Sequence, residues 1–147
     1  HDALKAPGGM PERIQALCRE TDQQIPQGKG EILRLVAESV AFKHRVRFDQ
    51  LQEITGKTLD RIHMGGGGIK NELLVQSIAT CCGVPVHAGP IEATACGNLI
   101  TQMVATGDLP DISAGRELIR RSIPLKNFAP SDPSPWEDNL PRFERLL

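Results

Sequence analysis

Tyrosine is absent from the chain, tryptophan occurs once and phenylalanine four times. So few rings cannot build the aromatic platform on which single-stranded nucleic acid stacks. An excess of positive charge is missing too. Lys and Arg number 17 against 18 Asp and Glu, a formal net charge of -1. That balance offers no attraction to a polyanion or an anionic lipid surface, so nucleic acid and membrane are set aside as partners. No apolar run reaches the roughly 20 residues that span a bilayer. Cysteine is present at Cys18, Cys81, Cys82 and Cys96, but never as C-x-x-C, which excludes the usual zinc spacing. Each cysteine falls in a helical pattern and reads as a buried free thiol, in keeping with a cytoplasmic location. The chain opens on His1 rather than methionine, as expected of a segment of a longer protein.

What is present centres on His63-Met64-Gly65-Gly66-Gly67-Gly68-Ile69-Lys70-Asn71. Four consecutive glycines leave bare backbone that another group can approach closely. Before them, Thr58 to Met64 reads as a short strand. After them, Asn71 to Cys82 reads as a helix closed by Gly83. Strand, glycine turn and helix together point free N–H groups at a ligand. A tight turn at a helix–strand crossing is the structural alternative.

Around this centre the chain reads as helix, strand and loop in alternation. Ile14, Leu17 and Cys18 mark a helix from Met10 to Asp22. Glu31 to Ile54 contains no glycine or proline and reads as one long helix. Ile32, Leu35, Val36, Ser39 and Val40 mark its expected buried face, continued less cleanly by Val46, Leu51 and Ile54. Val84 to Ala88 is a second strand, Glu92 to Thr106 a helix rich in small residues, and Ser113 to Ser122 a short amphipathic helix. Residues 1–127 form the expected core. Residues 128–147 form a proline-rich surface tail, extended through Trp136 and with a turn or two of helix after Asp138. Two strands bridged by a helix predict an α/β fold, helix-rich, with a short parallel sheet. So few strands read as part of a larger sheet.

Two nucleotide motifs are tested and fail. Thr55-Gly56-Lys57-Thr58 lacks the earlier glycine of a P-loop, since Leu51 stands there, and its strand–helix order is reversed. The glycine run would need a small residue at Lys70 to match the dinucleotide pattern.

A resemblance is specific where these fail. Gly66-Gly67-Gly68-x-x-Asn71-x-Leu73-Leu74-x-Gln76 is followed by Cys82-Gly83-Val84-Pro85-Val86-x-Ala88-Gly89-Pro90-x-Glu92-Ala93-Thr94-Ala95-x-Gly97-Asn98. Together they resemble the C-terminal ATP-binding domain of the FGGY carbohydrate kinases. The upstream stretches Met10-Pro11-x-x-Ile14-Gln15-x-x-Cys18-Arg19-Glu20-Thr21 and Gly30-Glu31-Ile32 through Ala41 are similar to the rhamnulokinase branch. Fuculokinase and xylulokinase remain alternatives. The resemblance implies part of a ribonuclease-H-like, actin-like ATPase fold, with ATP between two domains and Mg2+ in the complete enzyme. It implies that Gly66, Gly67 and Gly68 pass under the adenine and ribose and that Asn71 hydrogen-bonds the base. Asparagine carries donor and acceptor for a purine edge, although it is also a good helix N-cap. The parent reaction would phosphorylate a ketose, L-rhamnulose in particular, in the cytoplasm. The aspartate base and the phosphate-binding turns of the family belong to the preceding, N-terminal kinase portion. Asp2, Asp22, Asp49, Asp60, Asp108, Asp111, Asp132 and Asp138 all read as solvated or turn carboxylates, so no catalytic or metal residue is assigned here. The isolated chain is expected to be inactive and to self-associate. A non-catalytic module that binds a protein partner is the rival reading. Gly65, Ile69 and Cys96 depart from the pattern, which usually has an apolar residue, a serine and a larger aliphatic residue there.

Overall fold

The computed structural model describes residues 4–147, so Asp2 lies outside the described residues. Helix α1 spans Met10–Glu20, with proline in its first turn and Ile14 and Cys18 buried. Helix α2 runs unbroken over Lys29–Thr55 and ends at Gly56. Its buried face differs from the expected one. Val46 is buried as expected, but Ala37 and Ala41 are the other buried residues, whereas Val36 is 41% exposed and Ile54 83% exposed. The cause is the close crossing with the helix that comes after the glycine run. Two alanines one turn apart let the axes approach, and the larger residues are left to one side.

Strand β1 is short, Ile62–Met64. A 3₁₀ turn over Gly67–Lys70 comes next, then α3 over Glu72–Cys82. Gly83 ends α3 with φ 70, a left-handed cap that a side chain would strain. Strand β2 is Val86–Ala88 and helix α4 is Ala93–Thr106. Asp111 starts helix α5, Ile112–Ser122, by accepting a hydrogen bond from Ala114 N at 2.8 Å. α4 and α5 cross tightly at Gly115, where an added Cβ would lie 2.3 Å from a methyl of Ile100.

The expected parallel pair is present: Ile62 stands beside Val86 and Met64 beside Ala88. A third strand, β3 at Lys126–Phe128, pairs antiparallel with β2 and makes the sheet mixed, in the order β1-β2-β3. The three residues of β3, flanked by Pro124 and Pro130, are too few to show alternation, so this strand carries no sequence signal. Residues expected to be extended up to Trp136 are instead partly helical, since α6 spans Ser134–Glu144. Its aromatic rings hold it to α2: Phe42 lies 5.0 Å from Trp136 and 5.0 Å from Phe143.

The core is layered. α3 lies between α2 and one face of the sheet and is buried along its length, from Val75 to Cys82 apart from half-buried Gln76. Val75, Ile78, Val86 and Cys81 are its largest fully buried side chains. Each apolar one contributes roughly 1.5–3 kcal/mol relative to exposure. Among the described residues, no helix is long and apolar enough to cross a membrane.

Candidate functional site

β1 delivers the chain to the glycine run, and two backbone hydrogen bonds fix the course of the turn. Gly89 N donates to the Met64 carbonyl at 2.8 Å, and Gly66 N donates to the Pro90 carbonyl at 3.0 Å. The run is thereby tied to the loop after β2. This second wall has no counterpart in the sequence expectations, although Gly89-Pro90 announces a turn. Each glycine then has its own reason. A Cβ at Gly65 would stand 3.0 Å from the Cβ of Ala93, so its bareness lets the first residue of α4 close on the turn. Gly66 has φ 89 and ψ 177, a conformation essentially restricted to glycine.

Gly67 and Gly68 are different. Neither has a positive φ, and a Cβ built on either would meet no atom within 4 Å. Neither backbone conformation nor packing among the described residues requires glycine at these two positions. What their bareness does is keep the space over the turn clear.

Asn71 occupies the junction with α3. Its Oδ1 accepts a hydrogen bond from Leu74 N at 3.2 Å and so caps the helix. The acceptor side of the amide is engaged, while Nδ2 makes no hydrogen bond among the described residues and remains a donor. Beside the turn lies a cavity of about 550 Å³. Its walls are Ile69, Lys70 and Glu72, the Ala88–Glu92 loop, and Ile123, Pro124 and Lys126. The glycines and Asn71 border this cavity without lining it. Glu72 and Lys126 form an ion pair across it at 2.5 Å. The volume is in the range of small-molecule sites. A larger groove of about 770 Å³ lies between α2 and α6 but touches none of these residues. The smaller cavity is the candidate, because the bare turn and the α3 N-terminus border it.

The described aspartates that make contacts make structural ones. Asp49 pairs with Arg45 at 2.6 Å, Asp60 with Arg61 at 2.7 Å, and Asp111 caps α5. The hydrogen bond from Arg61 holds the Asp60 carboxyl below its ordinary range, and that from Ser134 does the same for Asp132. A general base working near neutral pH needs the opposite shift. Among the described residues, no group of three or more His, Cys, Asp or Glu stands together to hold a metal ion. No step through magnesium is assigned to this chain.

Comparison with known proteins agrees with this arrangement. The FGGY family of carbohydrate kinases, C-terminal domain, matches residues 2–106. The chain is similar to a rhamnulokinase of Bacteroides thetaiotaomicron, 39% identical over 99% of this chain and 30% of that protein. It is similar to a rhamnulokinase of Bacillus subtilis, 40% identical over 86% of this chain and 26% of the relative. A rhamnulokinase of Enterococcus faecalis is 43% identical over 83% of the chain and 25% of its own length. The chain thus spans less than a third of the length of these relatives. With a glycine turn opening onto α3, a helix-rich α/β fold and a family match over most of its length, the chain belongs to the FGGY carbohydrate kinases and carries their C-terminal domain.

Proposed function

We propose that this chain supplies the adenosine-binding wall of an ATP-dependent sugar kinase whose substrate is a ketose, L-rhamnulose. The observation that carries the reading is the open space over Gly67 and Gly68, which neither φ nor packing explains. A flat base lying on bare backbone does explain it. Gly66 shapes the turn, Gly67 and Gly68 leave bare backbone at the border of the cavity for the base to lie on, and Asn71 donates from Nδ2 to a ring nitrogen or carbonyl of the base. Bound ATP supplies the γ-phosphoryl group that passes to the sugar hydroxyl, with Mg2+ in the complete enzyme. The aspartate base and the phosphate contacts come from the N-terminal kinase portion, which this chain does not contain. The names of its relatives favour rhamnulose over the substrates of fuculokinase or xylulokinase. Free, mostly buried thiols favour the cytoplasm.

Calorimetric titration of the 147-residue protein with ATP, ADP and GTP tests the nucleotide reading. Saturable binding of ATP and ADP that is lost in Gly67→Val supports it. Binding that Gly67→Val leaves unchanged overturns the assignment. Absence of any binding to the wild-type chain favours the non-catalytic module instead.

A further inference from the structure

The face of the sheet turned away from α3 carries a feature that the kinase reading does not use. His63 on β1 is in register with His87 on β2, and His87 is in register with Asn127 on β3. Alternation along each strand puts these three side chains on one face. Their partners Ile62, Met64, Val86, Ala88 and Phe128 go to the core face. The two imidazole rings are stacked, with centroids 5.2 Å apart and planes inclined by 26°. His87 Nδ1 lies 2.5 Å from Asn127 Oδ1.

That last contact decides the chemistry. An amide oxygen can only accept, so His87 Nδ1 carries the proton and donates it. The neutral ring then keeps its lone pair on Nε2, away from Asn127. Metal-ligating histidines are held in this way, by an N–H given to a fixed oxygen on the far side of the ring. His63 is exposed and makes no hydrogen bond among the described residues, so no hydrogen bond resists its turning out of the stack on His87. A metal at roughly 2.0–2.1 Å from each nitrogen requires the two nitrogens to lie within about 4.2 Å of each other. The two rings start 5.2 Å apart between centroids, and shared coordination requires the His63 ring to turn out of the stack so that its lone pair converges with that of His87 Nε2.

We propose that His63 and His87 form a two-histidine site for a borderline transition-metal ion such as zinc, nickel or copper, with Asn127 as its positioning residue. Imidazole nitrogen selects this class of ion over magnesium or calcium, which prefer oxygen. Water completes the coordination at the exposed sheet face. The site lies on the sheet face turned away from α3, with His63 two residues before the glycine run, and takes no group from a nucleotide.

The test uses the 147-residue protein with zinc chloride as the probe and magnesium chloride as the comparison. Long-range proton–nitrogen correlation spectra read each histidine ring directly. The expected result is that His63 and His87 nitrogen signals move together and saturate at one equivalent of zinc, while magnesium moves neither. His63→Gln and His87→Gln should each abolish this saturation. Asn127→Ala should weaken zinc binding by roughly 10–100-fold, as loss of an outer partner does. His44→Gln, on α2, should leave it unchanged. Shifts confined to His1 or His44, or zinc uptake that survives both His63→Gln and His87→Gln, would show binding elsewhere and overturn the proposal. Absence of any zinc-dependent shift at His63 and His87 would overturn it as well. Thermal melts of each variant establish that the fold is retained. If His87→Gln does not fold, His63→Gln on the edge strand carries the test.

Discussion

Asn71 puts one amide to two uses, and the uses can be separated. The oxygen caps α3 and the nitrogen faces outward. Asn71→Ala removes both, so it should weaken ATP binding and also destabilise the chain by about 1 kcal/mol for the lost cap. Asn71→Asp keeps the cap, since aspartate is an equally good N-cap, but presents oxygen where the donor was. It should lower nucleotide affinity with stability nearly unchanged. Urea denaturation beside nucleotide titration distinguishes the two variants, and equal affinity loss without a stability difference between them would count against this division. Gly67→Val belongs to the same comparison. With no atom within 4 Å of its Cβ, it should alter stability by less than about 0.5 kcal/mol while blocking the base. The turn and the Asn71 cap were legible in the sequence because a glycine run with a following asparagine is local. The partner across the turn was not legible. Pro90 accepts from Gly66 across a whole helix and strand of intervening chain, and no pattern near Gly66 points to it.

At the scale of elements, α1 to α5 and the parallel pair β1 and β2 were readable, while β3 and the start of α6 were not. α2, α3 and α4 announce themselves by length, apolar spacing and terminal glycines at 56, 83 and 107. β1, β2 and β3 have three residues each, and such pieces exist only because the neighbouring backbone pairs with them. The buried face of α2 was misjudged for a related reason. Large apolar residues dominate a helical pattern, but Ala37 and Ala41 make the closest approach. α3 also carries a stability prediction. Burial pushes the Cys81 thiol up to about 12 and the Cys82 thiol to about 11 from an ordinary 9.0. Raised values in the folded state mean that both thiols stay protonated there while the unfolded chain ionises first. Their contribution is complete below pH 9 and is lost as pH climbs from 9 through 11 to 12. The unfolding free energy should therefore fall above pH 9, by at most about 1.4 kcal/mol per pH unit for each thiol. Urea midpoints measured from about pH 7 to about pH 10.5 check the sign. A Cys81→Ala, Cys82→Ala double variant should flatten the slope.

For the molecule as a whole, the surface carries an unpaired strand edge and uncovered apolar side chains. β1 is paired on one side only, and Leu33 and Leu99 are 68% and 57% exposed. An open strand edge and uncovered apolar area, worth roughly 25 cal/mol per Å², both favour association. Sedimentation equilibrium should show reversible self-association of the isolated chain, and a strict monomer across a wide concentration range would refute this. Purified alone, the chain should show no rhamnulose-dependent ATP consumption, as the described carboxylates that make contacts serve caps and ion pairs. The aromatic seam between α2 and α6 has a further consequence. Trp136 is the sole tryptophan of the chain, and its ring rests on Phe42 at the border of the α3 core. α6 is held there by rings, by Trp136 packing at the edge of the α3 core and by Arg142 donating to the Asp22 carbonyl, with no strand pairing of its own. All tryptophan fluorescence therefore reports one seam, and the far-ultraviolet circular dichroism reports the helices together. In urea the emission should shift to the red before the helical signal falls, because α6 opens locally ahead of the α3 core. Coincident transitions would mean that the seam and the core share one cooperative unit, and that light emitted at one end of the chain measures the whole of it.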